Sequence, residues 1–167
     1  MIHVYTGNGK GKTTAALGLA VRASGAGLRV YFVQFIKGRC YSELTALKKI
    51  KNIKVEQFGR GCFIKKKPLS KDVELAENGL RKIERLIADR KYDVIILDEV
   101  NVALKLGILK VGKVLDLIKI VPKSVEIVLT GRGALKEIIK EADLVSEIKE
   151  VKHYYNSGTK ARIGIEC

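Results

Sequence analysis

Short apolar runs alternating with helically spaced segments predict an α/β fold, a three-layer α/β/α arrangement around a mostly parallel central sheet. Three observations carry this expectation. The first is the alternation itself. The second is a pair of nearly continuous apolar runs, Val94-Ile-Ile-Leu97 and Val125-Glu-Ile-Val-Leu129, as central strands covered by helices on both faces require. The third is a glycine-rich turn joining the first strand to the first helix. All 167 residues are expected to form a single domain, a length that buries a sizeable core and leaves little for a second one.

Taken in order, Ile2-His-Val-Tyr5 is a β-rich run that stops at Thr6-Gly7, and Ala15, Ala16, Leu19, Ala20 and Ala23 then carry helical spacing. Gly25 and Gly27 are expected to end that helix, because glycine accepts the left-handed conformation of a helix C-terminus. Residues 28–35 read as a second strand, 42–50 as a short helix, 53–58 as a third strand and 59–70 as a loop rich in Gly and Lys. Ser70 is the expected cap of the next helix, whose Val73, Ala76, Leu80, Ile83 and Ile87 share one face and which ends near Tyr92. Val111, Val114, Leu115 and Ile118 mark a further helix between the two apolar strands. A sixth strand is expected around 144–151, with 162–165 as a further candidate.

Composition removes several classes of function. No apolar run approaches the roughly 20 residues of a membrane helix and the N-terminus lacks a signal-peptide plan, so the expectation is a cytoplasmic protein. Cys40, Cys62 and Cys167 are odd in number without CxxC spacing, which speaks against a disulfide framework and a thiolate zinc site. The net charge of +14 invites a nucleic-acid reading, but lysines are spread over every predicted helix instead of forming one stripe. The densest run, Lys65-Lys66-Lys67, reads as a solvated loop.

The chemistry is concentrated at the glycine turn, Thr6-Gly-Asn-Gly-Lys-Gly-Lys-Thr-Thr14. In the pattern Gly-x-x-x-x-Gly-Lys-Thr, glycines turn successive backbone N–H groups inward, so that they and the following helix N-terminus receive phosphate oxygens. Here Gly11-Lys12-Thr13 complete the pattern and Thr6 stands in its first position, with Gly7 and Gly9 supplying the flexibility. Lys12 is the candidate to reach the phosphates and the Thr13 hydroxyl to ligate Mg²⁺. The apolar strand ending in Asp98-Glu99 supplies the usual second half, a carboxylate beside the magnesium, and both acids are candidates. Together they predict a P-loop NTPase fold of the RecA-like kind. Val33-Gln-Phe-Ile-Lys-Gly38 and Leu129-Thr-Gly-Arg132 also end predicted strands, where ligands of open α/β sheets gather.

At this level of detail the chain resembles the P-loop ATP:corrinoid adenosyltransferase family over nearly its whole length. The resemblance rests on Tyr5 to Ala16, Arg22-Ala23, Gln34-Phe-Ile-Lys-Gly38, Asp98-Glu99, Thr130-Gly-Arg132, Ala142-Asp143 before Val145-Ser-Glu147, and Val151-Lys-His153 leading to Gly164-Ile-Glu166; Thr6 in the loop is the family's form. It implies transfer of the 5′-deoxyadenosyl group of ATP to a reduced, Co(I) corrinoid, with triphosphate leaving whole and running opposite to the usual P-loop direction. By the same resemblance Gly7, Asn8, Gly9, Lys10, Gly11, Lys12, Thr13 and Thr14 bind triphosphate, and Thr13, Glu99 and Asp98 are the Mg²⁺ candidates. Lys12, Thr13 and Glu99 carry catalysis, and Lys37 and Arg132 contact polyphosphate or corrin side chains. A homodimer and a reductant system such as a flavoprotein are implied partners. The acceptor, complete cobalamin or an earlier cobyrinic or cobinamide intermediate, stays open.

Two departures from the family stand out. Well-known members carry an N-terminal extension ahead of the first strand, where this sequence begins. They also carry aromatics in a Gly-Phe-Thr-Trp-like segment after strand three, where this chain has Gly61-Cys-Phe-Ile64 and no Trp; Phe63 and Ile64 are its candidates for an apolar wall. His153 reads as a structural residue, not an acid or base. The competing expectations are a nucleic-acid-stimulated RecA-like ATPase, which lacks an aromatic-rich basic groove, and a small-molecule kinase, for which the four-cysteine zinc site of thymidine kinases is missing. A non-catalytic nucleotide sensor is disfavoured by the intact Lys12, Thr13, Asp98 and Glu99.

Overall fold

A computed structural model describes residues 1–38, 42–61 and 67–166. The expectations placed on Cys40, Cys62, Phe63, Ile64, Lys65, Lys66 and Cys167 lie outside the described residues. The elements run β1 (Ile2–Thr6), α1 (Lys12–Gly25), β2 (Val30–Lys37), α2 (Ser42–Leu47), β3 (Ile53–Gly61), α3 (Ser70–Ala88) and β4 (Val94–Asp98). They continue with α4 (Val100–Lys105), α5 (Val111–Lys119), β5 (Glu126–Thr130), α6 (Lys136–Glu141), β6 (Leu144–Glu147) and a 3-10 turn at Tyr154–Ser157.

The six strands form one sheet in the order β3-β2-β4-β5-β1-β6, and every pairing among the described residues is parallel. Because side chains alternate across a strand, each central strand feeds two cores. Val30 and Phe32 of β2, with Ile96 of β4 and Val128 of β5, meet α1 through Ala16, Ala20 and Ala23. Their neighbours Tyr31, Val33, Phe35, Ile95, Leu97, Ile127 and Leu129 face Leu80 and Ile83 of α3, Leu104 of α4, Leu117 of α5 and Ile138 of α6. The alanines of α1 let the helix that carries the phosphate loop lie close to the sheet. Burying each large aliphatic side chain contributes about 1.5–3 kcal/mol.

Several boundaries differ from the sequence expectation. Helix α1 runs through Gly25, and it is Gly27, at φ 83°, that takes the left-handed turn, with Leu28 N donating to Ala23 O at 3.0 Å. Ser70 does not cap α3; it is the first helical residue, and the Asp72 carboxylate instead accepts from Leu69 N at 2.9 Å. That helix stops at Ala88, short of Tyr92. Residues 59–61 continue β3, where the edge pairing Lys37↔Gly61 outweighs the poor strand propensity of glycine. Residues 162–165 form no strand, with a turn over 163–166, and β6 ends at Glu147. Helices α4 and α6, six residues each, go beyond the sequence expectation; so short a helix carries little periodic signal, although α2, of the same length, was expected. No helix among the described residues is long and apolar enough to cross a membrane.

Candidate functional site

The C-terminal ends of β1, β2, β4 and β5 converge on a cavity of about 710 Å³. It brings together Gly9, Lys10, Gly11, Lys12, Thr13, Thr14, Lys37, Glu99 and Arg132 from segments far apart in sequence. Gly7, Asn8 and Asp98 are not on its wall. Asn8 is exposed on the loop, and Gly7 has a structural task.

The phosphate loop is clamped rather than merely flexible. Ile148 N donates to Thr6 O at 2.8 Å, and Gly9 N donates to Ile148 O at 2.8 Å, so the loop backbone lies against the chain just beyond β6. A Cβ on Gly9 would stand 2.6 Å from Lys149 O, and one on Gly7 would stand 2.8 Å from Ile148 N. Both distances are shorter than real Cβ contacts allow. The two glycines are therefore required by close backbone approach, a reason the local sequence did not disclose. Thr6 works beside them, its Oγ1 accepting from Ala134 N at 3.2 Å and so tying the loop to the chain after β5.

Lys12 opens α1, a helix with no acidic residue in its first turn, and is only 8% exposed. Its ammonium donates to Gly9 O at 2.5 Å and has no carboxylate at ion-pair distance among the described residues. Burial, and next the like charge of Arg132, lower its pKa below the ordinary lysine value, with Glu99 and Asp98 partly offsetting them. A buried cation short of counter-charge, at the positive end of a helix, is a place where an anion is favourable.

The two neighbouring acids divide the labour. Asp98 is fully buried: Oδ1 accepts from Thr13 Oγ1 at 2.8 Å and Thr130 Oγ1 at 2.6 Å, and Oδ2 accepts from Lys37 Nζ at 2.9 Å and Gln34 Nε2 at 3.2 Å. Thr130 can reach it because β5 lies between β4 and β1 in the sheet. Glu99 follows at φ 63°, its N–H donating to Thr130 Oγ1 at 3.0 Å, and its side chain, 21% exposed, lines the cavity. Burial, then the charge of Asp98, raise the Glu99 pKa against the opposing pull of Lys37, Lys12 and Arg132. Lys37, 3.8 Å from Glu99 as well, stays above its ordinary value: burial acts to lower it, and the two carboxylates overcome this. Ile36, also at positive φ (56°), sits at the register shift between Phe35 and Lys37. A β-branched residue in that region is strained, and strain of this kind clusters at functional sites.

Sequence reasoning left Gln34 and Thr130 without a role, although both close strands that end at the site. No role was given either to Leu17, Ile36 and Val102, which give the cavity an apolar wall, or to Glu43 and Glu166, which add acids to it. Gln34, Ile36 and Thr130 carry the local signal of a strand end, whereas Leu17, Glu43 and Val102 lie in helices and Glu166 in the C-terminal tail, where no local pattern marks them. His153 lines the cavity too, and its Nδ1 accepts from Tyr155 N at 3.0 Å.

The profile of the family described as ATP:corrinoid adenosyltransferase BtuR/CobO/CobP matches residues 1–167. A corrinoid adenosyltransferase of Pseudomonas aeruginosa is 37% identical over 165 residues, covering 98% of this chain and 81% of the relative. That of Escherichia coli is 35% identical over 166 residues, covering 99% of this chain and 85% of the relative. Among solved structures, the flagellar accessory protein FlaH of Methanocaldococcus jannaschii superposes with a TM-score of 0.60 at 16% identity, covering 87% of this chain and 69% of that one, which speaks to the fold alone. With a whole-length family match and relatives above 30% identity, the chain belongs to the ATP:corrinoid adenosyltransferase family.

Proposed function

We propose that this protein transfers the 5′-deoxyadenosyl group of ATP to a Co(I) corrinoid and releases triphosphate. The observation that carries the nucleotide half of this reading is the buried Lys12 ammonium, short of counter-charge, beside Arg132 in the loop cavity. The corrinoid half rests on family membership.

Co(I) is already a strong nucleophile, so attack at C5′ needs no general base; the C5′–O bond breaks and its electron pair leaves with the triphosphate. The chain's work is to align the nucleotide and stabilise a departing polyanion. Lys12, Arg132 and the amides at the start of α1 suit the polyanion, and Leu17, Ile36 and Val102 add apolar surface to the same cavity.

The oxygen donors present fit Mg²⁺, which takes one or two protein oxygens and completes its shell with phosphates and water. No cluster of three or more His, Cys, Asp or Glu that could hold a metal by itself occurs among the described residues, so phosphate and water oxygens would have to complete the shell. In this reading Thr13 and Glu99 hold the ion, and Asp98, both of whose oxygens are already engaged, orients the Thr13 hydroxyl. Bound there, Mg²⁺ would neutralise charge developing on the triphosphate.

Incubation with ATP, Mg²⁺ and chemically reduced cobalamin is expected to yield a light-sensitive cobalt–carbon product and one triphosphate per turnover. ADP and phosphate in their place would overturn the assignment. Lys12→Ala is expected to lower kcat/KM by at least about 100-fold with the melting midpoint retained; near-wild-type turnover in that variant rejects the role given to Lys12. The family further leads us to expect a homodimer, and a sedimentation mass of one chain at working concentrations would contradict it.

A further inference from the structure

Residues 153–166 lie against the phosphate loop without joining the sheet. Their only regular element is the 3-10 turn at Tyr154–Ser157, and none of them is buried; Tyr155 is 73% and Ile163 89% exposed. Apolar packing therefore does not explain why this segment sits at the cavity, where Gly164, Ile165 and Glu166 form part of the wall. A polar cluster centred on the loop does.

Lys10 Nζ donates to Tyr154 Oη at 2.7 Å and to Glu166 Oε1 at 2.9 Å, and lies 5.4 Å from the Tyr154 ring centre. The Tyr154 hydroxyl itself donates to Glu166. Arg162 closes the other side, donating to Glu166 from its backbone N at 2.7 Å and from Nη2 at 3.1 Å, with its guanidinium 4.9 Å from the same ring. One carboxylate thus ties a loop lysine to the chain 156 residues later.

An ammonium has three N–H donors, and the tail occupies two of those on Lys10, leaving one for a ligand. A lysine at a loop tip otherwise samples many rotamers, and fixing it on binding would cost affinity. A carboxylate on a polyphosphate pocket is ordinarily repulsive, but here Arg162 and Lys10 together outweigh its charge. Resting on the phosphate-site reading above, we propose that Glu166 and Tyr154 are positioning residues for the nucleotide: they hold Lys10 on the cavity wall so that its remaining N–H meets the triphosphate. The rival account is that the cluster only tacks down the tail.

A double-mutant cycle on the full chain separates the two, with calorimetric titration of Mg·ATP and steady-state KM and kcat for the wild type, Glu166→Gln, Tyr154→Phe, Lys10→Met and Glu166→Gln/Lys10→Met. Glu166→Gln is expected to raise Kd and KM for ATP roughly fivefold with kcat changed by less than about twofold. In the Lys10→Met background the same change is expected to add less than about twofold, because the group it positions is gone. Tyr154→Phe is the smaller perturbation of the same contact and is expected to shift KM in the same direction, which guards against a misfolded glutamine variant. An unchanged KM, or the same multiplication of KM with and without Lys10, overturns the proposal in favour of a tacked tail. A lowered KM overturns it by making Glu166 a competitor of phosphate. Failure of the wild type to bind Mg·ATP sinks the phosphate-site reading itself, before any variant is compared.

Discussion

Asp98 and Glu99 are adjacent acids whose surroundings make them unlike. Asp98 has both oxygens engaged, each by two donors, with no exposed surface, so it behaves as a joint between β4, α1, β2 and β5. Replacing it by Asn leaves the buried Lys37 ammonium without its nearest carboxylate, which typically costs about 3–5 kcal/mol. Asp98→Asn is therefore expected to lower the urea midpoint by that equivalent, with activity falling alongside. Glu99→Gln removes no buried ion-pair partner closer than 3.8 Å, so its midpoint is expected to stay within about 1 kcal/mol of wild type while Mg²⁺-dependent ATP binding is lost. Equal losses of stability in the two variants would show that the division of labour is wrong.

At the scale of an element, helix α3 shows how a cap can be assigned to the wrong residue. Asp72 accepts from Leu69 N and is paired with Arg60 of β3, at 2.8 and 2.9 Å, so one buried carboxylate both caps the helix and ties it to the neighbouring strand. The Arg60 guanidinium, and after it the Leu69 amide, hold the Asp72 pKa below its ordinary 3.8. A depressed acid contributes stability that is complete above the unfolded value and lost as pH falls through the folded one. Asp72→Asn is thus expected to cost about 1–2 kcal/mol at neutral pH. Chemical denaturation across a pH series should show that difference narrowing only below about pH 4. Ser70→Ala, at the expected but unused cap, is expected to change stability by less than about 0.5 kcal/mol. A larger loss there would return the cap to Ser70.

Over the whole molecule, stability is unevenly distributed. Strands β2, β4 and β5 are covered on both faces and almost wholly buried, whereas all four residues of the edge strand β6 are exposed and the tail has no buried side chain. Native-state hydrogen exchange is expected to be slowest in β4, at the global unfolding free energy, and fastest in residues 153–166, with β6 between them. Protection of the tail equal to that of β4 would contradict the two-core account. The loop amides of Gly9 and Ile148, which pair across the clamp, report whether the site opens with the edge or with the core.

The fold class, the phosphate loop, the acidic pair and the family could all be reached from the sequence, because each is written in neighbouring residues: apolar runs for buried strands, Gly11-Lys12-Thr13 for the loop, Asp98-Glu99 at a strand end. Local patterns also placed every strand of the sheet; the errors lay in boundaries, in the strand candidate at 162–165, and in the short helices α4 and α6, which were not expected. Only the tertiary structure decided what depends on chain crossings. Strand order put Thr130 beside Asp98, backbone approach from Ile148 and Lys149 required Gly7 and Gly9, and the returning tail set Glu166 on Lys10. Which of two adjacent carboxylates is sealed and which faces the cavity was likewise settled by partners more than thirty residues away. Local sequence reports the preferences of neighbours along the chain, while hydrogen-bond satisfaction and steric fit are determined by whatever the fold brings alongside.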